Sequence, residues 1–209
     1  LTEEPEHYDW AKIVDDLNRL LRLRTTPIGM KMFATKTEME AIPRIRRPSD
    51  IHTTDQIVAQ AARLGWTGGI TAEGLRRDFA IQHQAAMDVV EFGKYEAMAV
   101  SPLTSGRLNP PDICLVYATP GQMIILINGL QFTGYKKFEW SVVGESACAD
   151  SWGRALKTGE PSLAIPCFAE RRYGGVLDDE LLMALPPKYL PRAIAGMERL
   201  SGNGLRYPI

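Results

Sequence analysis

The run Asp112-Ile-Cys-Leu-Val-Tyr-Ala118 passes directly into Thr119-Pro-Gly-Gln122. No other stretch constrains the fold as much. An unbroken apolar run of this length is the pattern of a buried strand rather than of a strand with one wet face. Thr119 then stands where a helix N-cap is needed, with Pro120 at the first helical position. Met123, Ile124, Ile127 and Leu130 carry the apolar pattern onward at helical spacing. A buried strand that turns straight into a helix marks a sheet–helix junction.

Other elements arrange themselves around this junction. Trp10, Ile13, Val14, Leu17, Leu20 and Leu21 recur at three- and four-residue spacing, which predicts a helix over 8–23. A strand follows at Ile28–Phe33, then a loop over 34–53 that carries the basic cluster Arg44, Arg46 and Arg47. That cluster reads as a solvated face, or as a means of steering an anion toward a cleft. A helix is expected over Thr54–Leu64, ending at Gly65, then a turn over 66–70. Thr71 caps a further helix running to about Val90. Met98–Leu103 is a strand and Asn109-Pro110-Pro111 a turn. Later come a strand over 138–143, a helix over 147–156 and a strand over 162–167. The chain closes with a polar loop over 170–175, an apolar element over 181–185 and a helix over 188–200 that ends at Ser201-Gly-Asn-Gly204. Strands and helices without regular alternation predict an α+β fold: a single compact domain over 1–209 with a mixed sheet flanked by helices.

Composition narrows the function classes. Hydrophobic residues make up 45% of the 209-residue chain and charged residues 23%, which excludes a disordered chain and a collagen-like repeat. Lys and Arg number 24 against 25 Asp and Glu, a net charge of −1, so the basic footprint of a nucleic-acid binder is missing. Three cysteines are too few for a disulfide scaffold and suit a reducing compartment. The longest apolar run, Met123–Ile127, is far too short to span a bilayer. The acidic opening LTEEPEHYDW is no signal peptide and lacks an initiator Met, so a trimmed N-terminus and a cytoplasmic protein are expected.

Candidate chemistry gathers late in the chain. Cys167-Phe-Ala-Glu-Arg-Arg-Tyr-Gly-Gly175 packs Glu170, Arg171, Arg172 and Tyr173 beside a glycine pair. Guanidiniums bind carboxylate or phosphate bidentately, and a phenol stacks on an aromatic ligand or donates a hydrogen bond. The plainer alternative is a surface turn whose charges pair with Asp178, Asp179 and Glu180. Those acids could instead cap a helix or hold a divalent cation; capping, or pairing with Arg171 or Arg172, is the expectation. Thr119 and Gln122 offer donors at a helix start, where an anion is favoured, or they simply cap the helix. His83, mid-helix in sequence, is a candidate general base without a visible carboxylate partner; His52 is equally isolated. Cys148 and Cys167 read as small buried hydrophobes, with a redox or nucleophilic role as the alternative. No CxxC or HxxxH spacing occurs, so no metal ligands are assigned.

The run over 112–132, Ala147-Cys148-Ala149, the block Pro161-Ser-Leu-Ala-Ile-Pro-Cys167, Arg171-Arg172, and Asp178-Asp-Glu180 ahead of Leu185-Pro186 are together similar to the DUF169 (ArCR) family. Leu20–Phe33 resembles that family's opening block, and the stretch over 112–200 matches best. The resemblance implies a largely uncharacterised family with some members in anaerobic or aromatic-compound metabolism. It also implies extra cysteines in the N-terminal half, which the stretches Ile51–Ala59 and Asp78–Val89 lack here. What remains is Cys148 and Cys167 with the arginine loop, which points to organic-anion chemistry more than to metal chemistry.

The expected function is an enzyme, or a subunit of one, acting on a small carboxylated or phosphorylated anionic metabolite, with an aromatic one as an option, by non-redox lyase or hydrolase chemistry. Arg171, Arg172, Thr119, Gln122 and Cys148 would bind the substrate. Cys167, Glu170, Tyr173 and His83 would move protons. No cofactor is predicted, with a metal or iron–sulfur cluster left open. Partners would be the metabolite, copies of the chain in a homo-oligomer and other subunits of a catabolic complex, without nucleic acid or membrane. The alternatives are a non-catalytic binding or sensor subunit, which an exposed apolar patch would favour, and a thiol- or metal-dependent redox protein.

Overall fold

A computed structural model of the chain describes residues 8–47, 54–71, 94–135, 137–138 and 147–209. The helices are α1 (Trp10–Leu21), α2 (Lys36–Glu40), α3 (Thr54–Leu64), α4 (Pro120–Leu130), α5 (Arg154–Thr158), α6 (Phe168–Arg172) and α7 (Tyr189–Gly202). The strands are β1 (Ile28–Phe33), β2 (Gly68–Thr71), β3 (Ala97–Pro102), β4 (Ile113–Ala118), β5 (Ser162–Ala164) and β6 (Leu181–Leu185). They form one sheet in the order β2-β3-β1-β4-β6-β5. Its strand pairings are antiparallel, with a parallel bridge from Arg46 to Gly68 at the β2 edge. The fold is α+β.

The sheet is covered on both faces, which explains the unbroken apolar run of β4. Ile113, Leu115 and Tyr117 pack on one side with Leu182 and Ala184 of β6, against Ile57, Val58 and Ala61 of α3 and against Trp152. Cys114, Val116 and Ala118 point the other way with Met183 and Leu185, against α1, α4 and α7. Because side chains alternate along a strand, burying both faces demands an apolar residue at every position.

Local signals act as expected in most places. Asp9 caps α1 by accepting from the Lys12 N–H, and Arg22 ends the helix in the left-handed region with φ 52°. Thr119 and Gln122 form a reciprocal capping box at the start of α4. Four expectations change. The loop expected over 34–53 contains α2, set by a capping box between Thr35 and Glu38. The turn expected over 66–70 becomes the edge strand β2, because β3 supplies its hydrogen-bond partners. The loop expected over 170–175 is helical as far as Arg172. Thr71, expected to cap a helix, is instead the last residue of β2; the rest of the helix expected to about Val90 and most of the strand over 138–143 lie outside the described residues. No helix among the described residues is long and apolar enough to cross a membrane.

Candidate functional site

Four proton-bearing side chains meet between α3, α6 and the end of β4. Cys167 is the N-cap of α6, and its sulfur accepts from the main chain of Glu170. The Glu170 carboxylate reaches back to accept the Cys167 N–H at 3.0 Å, closing a capping box with a thiol in the place of a hydroxyl. The other carboxylate oxygen accepts the Tyr117 hydroxyl at 2.6 Å. From α3, Asp55 accepts the Cys167 thiol at 3.3 Å. Relative exposure is 0% at Glu170, 2% at Cys167 and 3% at Asp55. Gly174 lets the end of α6 lie close to α3: a Cβ there would sit 2.4 Å from the Ala59 Cβ and 2.6 Å from the Glu170 carbonyl oxygen.

Burial dominates the electrostatics. It pushes the Glu170 carboxyl up to about 7, against the pull of the Tyr117 hydroxyl and the Cys167 N–H, which favour the carboxylate. Burial also raises Cys167, and the neighbouring Asp55 carboxylate adds to the rise. Tyr117 is raised by burial and then by the charge on Glu170. Asp55, Cys167 and Glu170 bring three potential metal-donor atoms within 4.8 Å of one another.

The residues singled out from sequence divide among different roles. Cys167 and Glu170 belong to this centre. Arg171 does not present a free guanidinium: its Nε donates to the Pro166 carbonyl at 3.1 Å, and its terminal nitrogens donate to the carbonyls of Leu177 and Glu180. It holds the segment from Pro166 to Glu180 together. Arg172 is exposed, and Tyr173, 57% exposed, meets Phe168 edge-to-face with ring centroids 6.4 Å apart. The pair of arginines therefore does not form a two-armed clamp. Cys148 packs in the core cluster with Trp152, apart from the small cluster that holds Cys167. His83 and His52 lie outside the described residues. The basic cluster is partly engaged, with Arg47 on Glu40 at 2.7 Å and Arg46 stacked over Trp66 at 3.8 Å.

Thr119 and Gln122 are occupied by the chain itself. The Gln122 side-chain oxygen accepts the Thr119 N–H at 2.7 Å. Its amide nitrogen donates to the carbonyls of Leu21 and Arg22, both at 2.9 Å, and so stitches the start of α4 to the end of α1. Gln122→Ala is expected to lower folding stability by about 1–3 kcal/mol, the cost of orphaning buried main-chain groups. Urea unfolding measures this, and a change below about 0.5 kcal/mol would contradict the stitch.

Asp55 and Tyr117 are not visible as site residues in the sequence. An acid in the first turn of a helix ordinarily complements the helix dipole. Tyr117 does carry a signal, since a phenol inside a continuous apolar run needs a buried hydrogen-bond partner. The thiol cap is also readable, with Glu three residues after Cys167.

Comparison with known proteins bears on the same region. The family model for DUF169, described as uncharacterised ArCR, matches residues 75–196, more than half of the chain. The chain belongs to the DUF169 family. The DUF169 match contains Tyr117, Cys167 and Glu170, whereas Asp55 and the Leu20–Phe33 block precede it. No curated protein and no solved structure matches the chain.

Proposed function

We propose that this DUF169 protein is an enzyme, or the catalytic subunit of one, that carries out non-redox lyase- or hydrolase-type chemistry on a small aromatic anion. Asp55, Tyr117, Cys167 and Glu170 would be its reaction centre. One observation carries the reading: four groups able to exchange protons are held in hydrogen-bond contact inside the fold by three separate elements. Burying such groups together costs stability, and proteins accept that cost chiefly where chemistry is done.

In this reading the Tyr117–Glu170 pair supplies or withdraws the proton as the substrate bond is cleaved. Helix α6 links the buried centre to the surface. Exposed Phe168 begins it, its first turn carries Glu170, and exposed Arg172 ends it, followed by Tyr173, whose ring meets that of Phe168. A substrate ring would lie on the two aromatic edges while Arg172 takes its carboxylate or phosphate.

Benzoate and phenyl phosphate are suitable probes. At 100 times its dissociation constant, a bound probe stabilises the protein by about 2.7 kcal/mol, which thermal unfolding detects. Arg172→Ala is expected to weaken that binding by about tenfold or more. A second reading, a non-catalytic subunit docked on another protein, draws on the exposed side chains Ile165, Phe168, Tyr173 and Leu177. If neither probe shifts the unfolding temperature, the enzyme reading falls and the second stands.

A further inference from the structure

We propose that the groove between the loop after α4 and the end of α7 is a second ligand site, which binds an organic anion with an aromatic body. The groove has a volume of about 570 Å3, inside the range of about 300–1,000 Å3 usual for ligand sites. It shares no residue with the centre around Cys167, so the inference does not rest on the proposed function. The close approach of α4 and α7 at Gly129 and Gly196 sets the loop against the last turn of α7. Phe132 and Tyr135 of that loop, with Leu200 and Leu205, make the apolar walls. Tyr135 is 97% exposed and Leu205 51%, so much of this apolar surface stands in water until a guest covers it. An aromatic body suits walls that offer two rings.

Charge selects the guest. Among the described residues no acid lines the groove, and its own lining holds two arginines at the rim. The Arg199 guanidinium sits over Phe132, 4.7 Å from the ring centroid, and Arg192 donates to the Thr133 hydroxyl at 2.6 Å. Neither arginine has a carboxylate partner among the described residues, whereas Arg19, Arg24, Arg47 and Arg63 each have one. The helix dipole accounts for only one of them. Arg199 lies in the last turn of α7, where a cation is favoured, but Arg192 lies in the first turn, where it is opposed. A bound anion offsets that cost. Arg199 is held through the ring, so its N–H groups stay free to grip a carboxylate or phosphate from two sides. Asn128 adds an amide that makes no hydrogen bond among the described residues.

The test is isothermal titration of the full chain with naphthalene-2-carboxylate. Saturable binding is expected. Naphthalene-2-methanol, the same body without the charge, should bind at least about tenfold more weakly. Arg199→Met keeps the stem of an exposed side chain and should weaken the carboxylate by about tenfold or more. Leu205→Trp, which fills the groove, should remove binding. Arg172→Ala should leave it unchanged, which separates this groove from the surface of α6. No binding by the parent chain at millimolar carboxylate overturns the site whether or not any variant folds. Equal binding of the neutral probe, undiminished binding in Arg199→Met, or binding lost in Arg172→Ala overturns it as well.

Discussion

Replacing Arg63 by alanine is expected to cost about 3–5 kcal/mol of folding stability, because it strands a buried carboxylate. Arg63 sits near the end of α3 and pairs with Glu180, whose side chain is 1% exposed. The same Glu180 carboxylate accepts the Leu177 N–H at 2.8 Å, so it anchors the loop before β6 as well as the ion pair. With the guanidinium gone, the buried carboxylate keeps the Leu177 hydrogen bond and loses that counter-charge. Replacing both partners should hurt less. Arg63→Met with Glu180→Gln leaves a neutral pair, and the double-mutant cycle should show a coupling of about 0.5–3 kcal/mol. Urea unfolding at constant m-value measures Arg63→Ala, the single variants Arg63→Met and Glu180→Gln, and their combination. A loss under about 1 kcal/mol in Arg63→Ala would mean that the pair behaves like one on an open surface.

The second large effect lies on the opposite face of the sheet, where α4 and α7 cross at paired glycines. A Cβ on Gly196 would sit 2.1 Å from the Gly129 carbonyl oxygen and 2.8 Å from its carbon. A Cβ on Gly129 would sit 2.6 Å from the Ala193 carbonyl oxygen and from Met197 Cγ. Main chain blocks both positions, so no rotamer change relieves the contact and the helices must part. Alanine in place of glycine inside a helix ordinarily returns about 1 kcal/mol. At Gly196 the clash should outweigh that gain, for a net loss of about 1–3 kcal/mol with Gly196→Ala and more with valine. Gly202, in the last turn of the same helix, is the internal control, since a Cβ placed there would meet nothing within 4 Å. Gly202→Ala should be neutral or mildly stabilising. Thermal unfolding of both variants settles the matter: if Gly196→Ala is as harmless as Gly202→Ala, the crossing is not as close as described.

The three consecutive acids before β6 show where local reading ends. Sequence proximity suggests that Asp178, Asp179 and Glu180 cap a helix or pair with Arg171 or Arg172. Asp178 does lie 3.8 Å from Arg171. Asp179 instead bonds Arg24 at 2.8 Å, and Glu180 bonds Arg63. Each partner comes from a different part of the chain, because the loop is wedged between the α1–β1 connection and the end of α3.

Properties encoded over a few residues are legible without any structure. The apolar spacing of α1, the buried run of β4, the start of α4 at Thr119–Pro120 and the end of α3 at Gly65 all follow from periodicity, capping and the glycine conformation. The α+β class follows from the order of those elements. Which side chains meet is a matter of tertiary structure. Asp55 reaches Cys167 across 112 residues and Tyr117 reaches Glu170 across 53. Arg171 and Gln122, promising as binding groups, are claimed by main-chain carbonyls. Periodicity reports the direction in which a side chain leaves its own backbone. The partner it finds depends on how distant elements stack across a sheet, and no short window of sequence carries that information.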